Sequence, residues 1–94
     1  MIRHTVCFKL KKGESAEKAA EILNSMKGKV PEIKDIFVGV DFLKSERSYD
    51  VILQVTVENE HALERYQHDP YHCSVVKEYM HKVRESSVAV DCYV

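Results

Sequence analysis

Three polar side chains stand in registers where the pattern calls for apolar ones, and their types could perform acid–base chemistry. His4 falls in the alternating series Ile2, Val6, Phe8 and Leu10, on what would be the greasy face of a strand. Tyr66 continues the inward stripe of Ala62 and Leu63 on a short helical pattern, and His72 sits near the start of the next one. A histidine at a helix N-terminus feels the positive end of the backbone dipole, and burial also disfavours its charged form. Both effects favour a neutral imidazole that can accept a proton. A tyrosine hydroxyl beside it could donate to a carbonyl or enolate oxygen. The same trio has a structural reading, because a buried histidine bonded to a tyrosine hydroxyl is a common way to satisfy polar groups in a core. Convergence of all three on one apolar layer favours a pocket, but names no reaction.

Other chemistries lack their residues. His68 and His72 are four apart, yet Asp69-Pro70 lies between them, so they do not share a helical face as paired metal ligands would. Cys7, Cys73 and Cys92 are odd in number with no CxxC, which indicates reduced thiols rather than a disulfide framework or a thiolate zinc site. Gly13, Gly28 and Gly39 are too scattered for a phosphate-cradling loop. No metal and no cofactor is expected. Met26, Tyr79 and Met80 read as core filling, and His61 and His81 fall at solvent-facing positions.

The elements that must position the trio follow from periodicity. Ile2 to Leu10 is a strand, broken by Lys11-Lys12-Gly13. Ser15 can cap a helix whose stripe runs Ala16, Ala19, Ala20, Leu23, Met26 and Val30, and Pro31 stops it. Lys34 to Phe42 alternates again, with Ile36, Val38, Val40 and Phe42 on one side and Phe37 on the other. Leu43 to Ser48 is a polar connection, and Tyr49 to Val57 a third strand. Asn59 can cap the short helix that carries Tyr66, while Asp69 and Pro70 are a natural N-cap and first residue for the next. The inward stripe of that helix is His72, Val75, Val76, Tyr79, Met80 and Val83. Ser86 to Val94 closes the chain as a fourth strand, with Val88, Val90, Cys92 and Val94 on one face and Ala89 and Tyr93 on the other.

The order β-α-β-β-α-β, its second helical segment split, predicts one ferredoxin-like α+β domain spanning residues 1–94 with an antiparallel sheet. Helices cover one face of such a sheet, and the apolar face of each strand is expected to be the covered one. The open face would then bear Thr5, Cys7, Phe37, Ile52, Ala89 and Tyr93. A bare apolar patch of that kind calls for a second copy, since burial stabilises by roughly 25 cal/mol for each Å² removed from water. A homodimer forming an α/β barrel is the expectation, and a domain of 94 residues, which buries only about two-thirds of its unfolded surface, gains much from it.

Composition sets the outer bounds. With 45% hydrophobic and 31% charged residues the chain is an ordinary globular one, neither disordered nor membrane-spanning. A formal net charge of −1, with scattered cations, offers no footprint for nucleic acid. Arg3, His4 and Lys9 interrupt the N-terminal stretch, unlike a signal peptide, so a cytoplasmic location is expected.

Three segments carry a family likeness. Ile2-Arg3-His4-Thr5-Val6-Cys7-Phe8-Lys9-Leu10-Lys11 resembles the opening strand of the stress-responsive dimeric α/β barrel family, with its His and later Phe-Lys pair. Val38-Gly39-Val40-Asp41 is similar to that family's Gly-x-Asp. Tyr66-Gln67-His68-Asp69-Pro70-Tyr71-His72 is similar to its Tyr followed by x-x-His-Pro-x-His, with Asp69 where the first His usually stands. The resemblance spans nearly the whole chain. It implies a homodimer with one pocket per subunit between sheet and helices, in which His72 and Tyr66 would be the catalytic candidates. His4, Leu23, Val51, Val76 and Tyr79 would line the ligand space. A plant branch of the family contains polyketide cyclases in which a His and a Tyr at the positions of His72 and Tyr66 carry an aldol-type ring closure. Val51 stands where those enzymes have another pocket His.

Three functions remain open on these grounds. One is a domain that holds a small apolar ligand without turning it over. The second is a cofactor-independent cyclase, isomerase or lyase acting on an enolisable carbonyl compound, with His72 as base and Tyr66 as acid. The third, a cofactor-independent monooxygenase, rests on fold analogy alone.

Overall fold

The computed structural model describes Met1 to Val94. Its elements are β1 (Ile2–Leu10), α1 (Ala16–Asn24), β2 (Asp35–Val40), β3 (Val51–Val57), α2 (Glu60–Gln67), a π-helical turn (His72–Lys77) that runs into α3 (Glu78–Val83), and β4 (Arg84–Tyr93). The strands form one antiparallel sheet in the order β2-β3-β1-β4, with the helices on one face. This is the ferredoxin-like α+β arrangement expected from the pattern.

The helix starts form where side chains can take orphan N–H groups. The Ser15 hydroxyl accepts from the Lys18 N–H at 3.0 Å and the Asn59 side-chain Oδ1 from the Ala62 N–H at 2.9 Å. Asp69 caps the segment leading to His72, its Oδ1 accepting from the N–H groups of Tyr71 at 2.9 Å and His72 at 3.1 Å. The core lies between helices and sheet, with Ile2, Phe8 and Leu10 of β1 and Val51, Leu53, Val55 and Val57 of β3 buried beneath Leu23, Tyr66, Val76 and Met80.

Several expectations need correction. The first helix ends at Asn24 rather than continuing to Val30: the Ser25 hydroxyl donates to the Ile22 carbonyl, and Gly28 turns the chain with φ +79°. Met26 and Val30 are buried all the same, from the turns that follow. β2 stops at Val40, leaving Phe42 90% exposed in the connection. The helix after Asp69 widens into a π turn, where the Ser74 hydroxyl donates to the Pro70 carbonyl at 2.7 Å and competes with the backbone for that acceptor. Val75 is consequently turned outward, while Val76 stays buried.

The largest correction concerns β4. In its register Tyr93 lies opposite Ile2, Asp91 opposite His4 and Ala89 opposite Val6, so these face the helices. Val88, Val90 and Cys92 lie opposite Cys7, Thr5 and Arg3 on the open face. The expectation for Ala89 and Tyr93 is therefore reversed, because the more apolar side of this edge strand is the one away from the helices. The helix layer leaves β4 largely uncovered, and every residue after Arg84 is exposed. The open face thus carries Phe37, Val88 and Val90, all well exposed, beside Cys7 and Ile52. Gly39 belongs to the same surface: a Cβ there would lie 3.2 Å from both the Phe37 ring and Ile52.

Candidate active site and ligand cleft

Because the helices stop short of β4, a cleft of about 230 Å³ opens between that strand and the π turn. His4, Tyr66 and His72 all line it. The Tyr66 ring, fully buried, lies between the two imidazoles: its centroid is 4.5 Å from that of His72 at a 30° tilt and 5.7 Å from that of His4, edge-on. Its hydroxyl points elsewhere, donating to the Met26 sulfur at 3.7 Å. Burial, helped by the negative charge of Asp69, pushes that phenol well above its ordinary range, so it stays protonated.

The two histidines differ. His4 Nδ1 meets the Asp91 carboxylate at 2.5 Å across the β1–β4 pairing. A carboxylate can only accept, so Nδ1 carries the proton, and in the neutral ring Nε2 is left as an acceptor. His72 has no such support. Its Nδ1 is buried without a hydrogen-bond partner. Burial and then the Lys77 charge hold its proton affinity below the ordinary imidazole value, against an opposing pull from the Gln67 carbonyl.

Of the other residues expected to line the ligand space, Leu23 and Val76 do so, together with Val6, Phe8, Leu53 and Met80. Val51 does not. It is buried in the core and touches a separate hollow, beside Cys7, Phe37 and Ile52. Tyr79 also lies outside the cleft, with the Lys18 ammonium 5.7 Å above its ring. His68 turns away to the Glu64 carbonyl, 3.0 Å from its Nδ1. His81 is exposed as expected, yet it stands on the cleft's rim. Asp91 escaped the sequence reading because the inverted parity of β4 placed it on the wrong face. The signal was present: a histidine on an inward strand register needs a partner, and Asp91 is the carboxylate in an otherwise apolar run.

The family model described as Stress responsive A/B Barrel Domain, or Dabb, matches residues 2–94. The chain belongs to this family. No curated protein sequence matches the Dabb chain. Among solved structures it is similar to a dimeric ferredoxin-like protein of unknown function from Thermobifida fusca, with 22% identity, a TM-score of 0.85 and coverage of 99% of this chain and 90% of that one. A Dabb family protein with a ferredoxin-like fold from Mesorhizobium loti has 22% identity and a TM-score of 0.74, covering 99% and 95%. A hydroxynitrile lyase from Passiflora edulis has 16% identity and a TM-score of 0.82, covering 99% and 92%. At these identities the likeness establishes the fold that the Dabb chain shares with them. No helix of the chain is long and apolar enough to cross a membrane.

Proposed function

We propose that the protein is a homodimer in which each subunit holds a small apolar ligand in the cleft between sheet and helices. The observation that carries this reading is the orphaned Nδ1 of His72. A buried polar atom left unpaired costs about 1–3 kcal/mol, and a ligand or water in the cleft that reached it would remove that cost. Dimerisation is supported by the exposed Phe37, Val88 and Val90 on the face away from the helices. The odd set of three free thiols fits a reducing, cytoplasmic setting. A role in stress responses is inferred from the family's description alone.

Native mass spectrometry of gently purified protein tests the ligand and the assembly together. The expected species has twice the chain's mass and a small organic adduct that is lost on unfolding. A bare species, with no shift of the His72 ring protons when small aromatic compounds are added, would remove the ligand reading.

Acid–base catalysis on an enolisable carbonyl compound is a second reading, and the same nitrogen favours it. A neutral imidazole whose Nδ1 has no partner could take a proton from the carbon next to a carbonyl, and the His4–Asp91 pair offers a second oriented base. Tyr66 would act as the acid only after its hydroxyl leaves Met26. The hydroxynitrile lyase adds nothing to this beyond the fold. His72→Ala should leave the protein folded and abolish any turnover; surviving turnover would eliminate His72 as the base.

A further inference from the structure

The mouth of the cleft has a charge pattern that its apolar walls do not require. Lys77, His81 and Arg84 line the cleft and no aspartate or glutamate does; the carboxylate of Asp91 stands behind the His4 ring, bonded to its Nδ1. None of these three makes an ion pair within the chain. The whole sequence balances 15 acidic residues against 14 lysines and arginines, so a lining that carries three basic side chains at one side and no acidic one is a local segregation of charge. Solvated surface cations would carry little preference. Here they stand along one side of a largely apolar cleft, where a bound anion is partly withdrawn from water and feels them through a lower dielectric.

Size narrows the ligand further. An apolar cavity of about 150 Å³ takes benzene, and this cleft measures about 230 Å³. That leaves room for one ring with a few more atoms, or for a short acyl chain. We propose that the cleft selects small monoanions, an aromatic ring or short aliphatic chain ending in a carboxylate, with the apolar body against Phe8, Leu53 and Val76 and the carboxylate at Lys77, His81 and Arg84. The inference rests on the reading of the cleft as a ligand site and adds the ligand's charge.

Calorimetric titration of the full chain with benzoate, benzamide and benzylamine at neutral pH and low salt tests it. Benzoate should bind about tenfold or more tightly than benzamide, and benzylamine should not bind. The preference should shrink in 1 M salt, where the Debye length is about 3 Å. Lys77→Gln combined with Arg84→Gln should bring benzoate down to the benzamide level while leaving benzamide unchanged. Lys77→Gln with His81→Gln makes the same test without touching β4. Equal affinities for benzoate and benzamide, both abolished by Ala89→Phe at the cleft lip, would overturn the charge preference and leave the cleft reading standing. Binding of no probe, or binding that Ala89→Phe does not disturb, would overturn both.

Discussion

The carboxylate of Asp91 holds the Nδ1 of His4 at 2.5 Å across the central and edge strands of the sheet. His4 is almost fully buried in the cleft wall and Asp91 is nearly half exposed behind it, so the pair ties that wall to the solvent side of the edge strand. It fixes one imidazole tautomer and leaves the other ring nitrogen free to accept.

Asp91→Ala removes that partner and strands a buried N–H. A loss of about 1 kcal/mol is expected in urea denaturation, kept small by the exposure of the carboxylate. Asp91→Asn, which can still accept, should recover part of it. No difference between the two substitutions would mean that the hydrogen bond does not hold in solution.

Tyr66 separates the two histidines with its ring rather than its hydroxyl. Tyr66→Phe should therefore cost less than about 1 kcal/mol, since only a weak bond to sulfur is lost. Tyr66→Ala should cost about 3–5 kcal/mol, because it empties a fully buried aromatic site. Denaturation midpoints of the two variants check the ordering; similar losses would put the energy in the hydroxyl.

His72 sets a pH dependence. Its folded-state proton affinity lies below the ordinary value of 6.5, which the unfolded chain retains. As pH falls through 6.5 the unfolded chain takes up the proton first, so this group lowers stability on the acid side and has no effect well above that value. The imidazole should titrate in the folded protein with a midpoint below 6.5 by NMR, and His72→Asn should flatten the fall in thermal midpoint on acidification. A folded midpoint above 6.5 would contradict the burial of the ring.

The open face of the sheet makes its own prediction. Ile52→Asp, or Val90→Asp at a position 63% exposed in the isolated chain, should leave each subunit folded and halve the sedimenting mass. An unchanged dimer from both would mean that the subunits meet elsewhere.

The order of elements, three helix caps and the trio His4, Tyr66 and His72 were legible in the sequence because each depends on local spacing or on one strong alternation. Asp69-Pro70 signalled a helix start by itself, and Ile2 to Leu10 a half-covered strand. The edge strand was misread for a physical reason. Alternation tells which residues share a face, but only pairing with β1 tells which face that is, and on β4 the greasier side is not the one against the helices. The π turn was invisible because it depends on a hydroxyl-to-carbonyl contact, Ser74 to Pro70, that no periodicity encodes. The outcome for Val51 and Tyr79 is similar: both sit on elements that border the cleft, but the unequal reach of the helix layer decides which walls face it.

β4 is read from both sides. Ser87 and Ala89 answer to the cleft and Asp91 to the His4 in its wall, while Val88, Val90 and Cys92 answer to whatever meets the outer surface. Neighbouring positions along this one ribbon are thus held to unrelated demands, and only residues two apart share one. Among relatives, positions 87, 89 and 91 should drift in concert with the ligand handled, and positions 88, 90 and 92 with the shape of the opposing molecule.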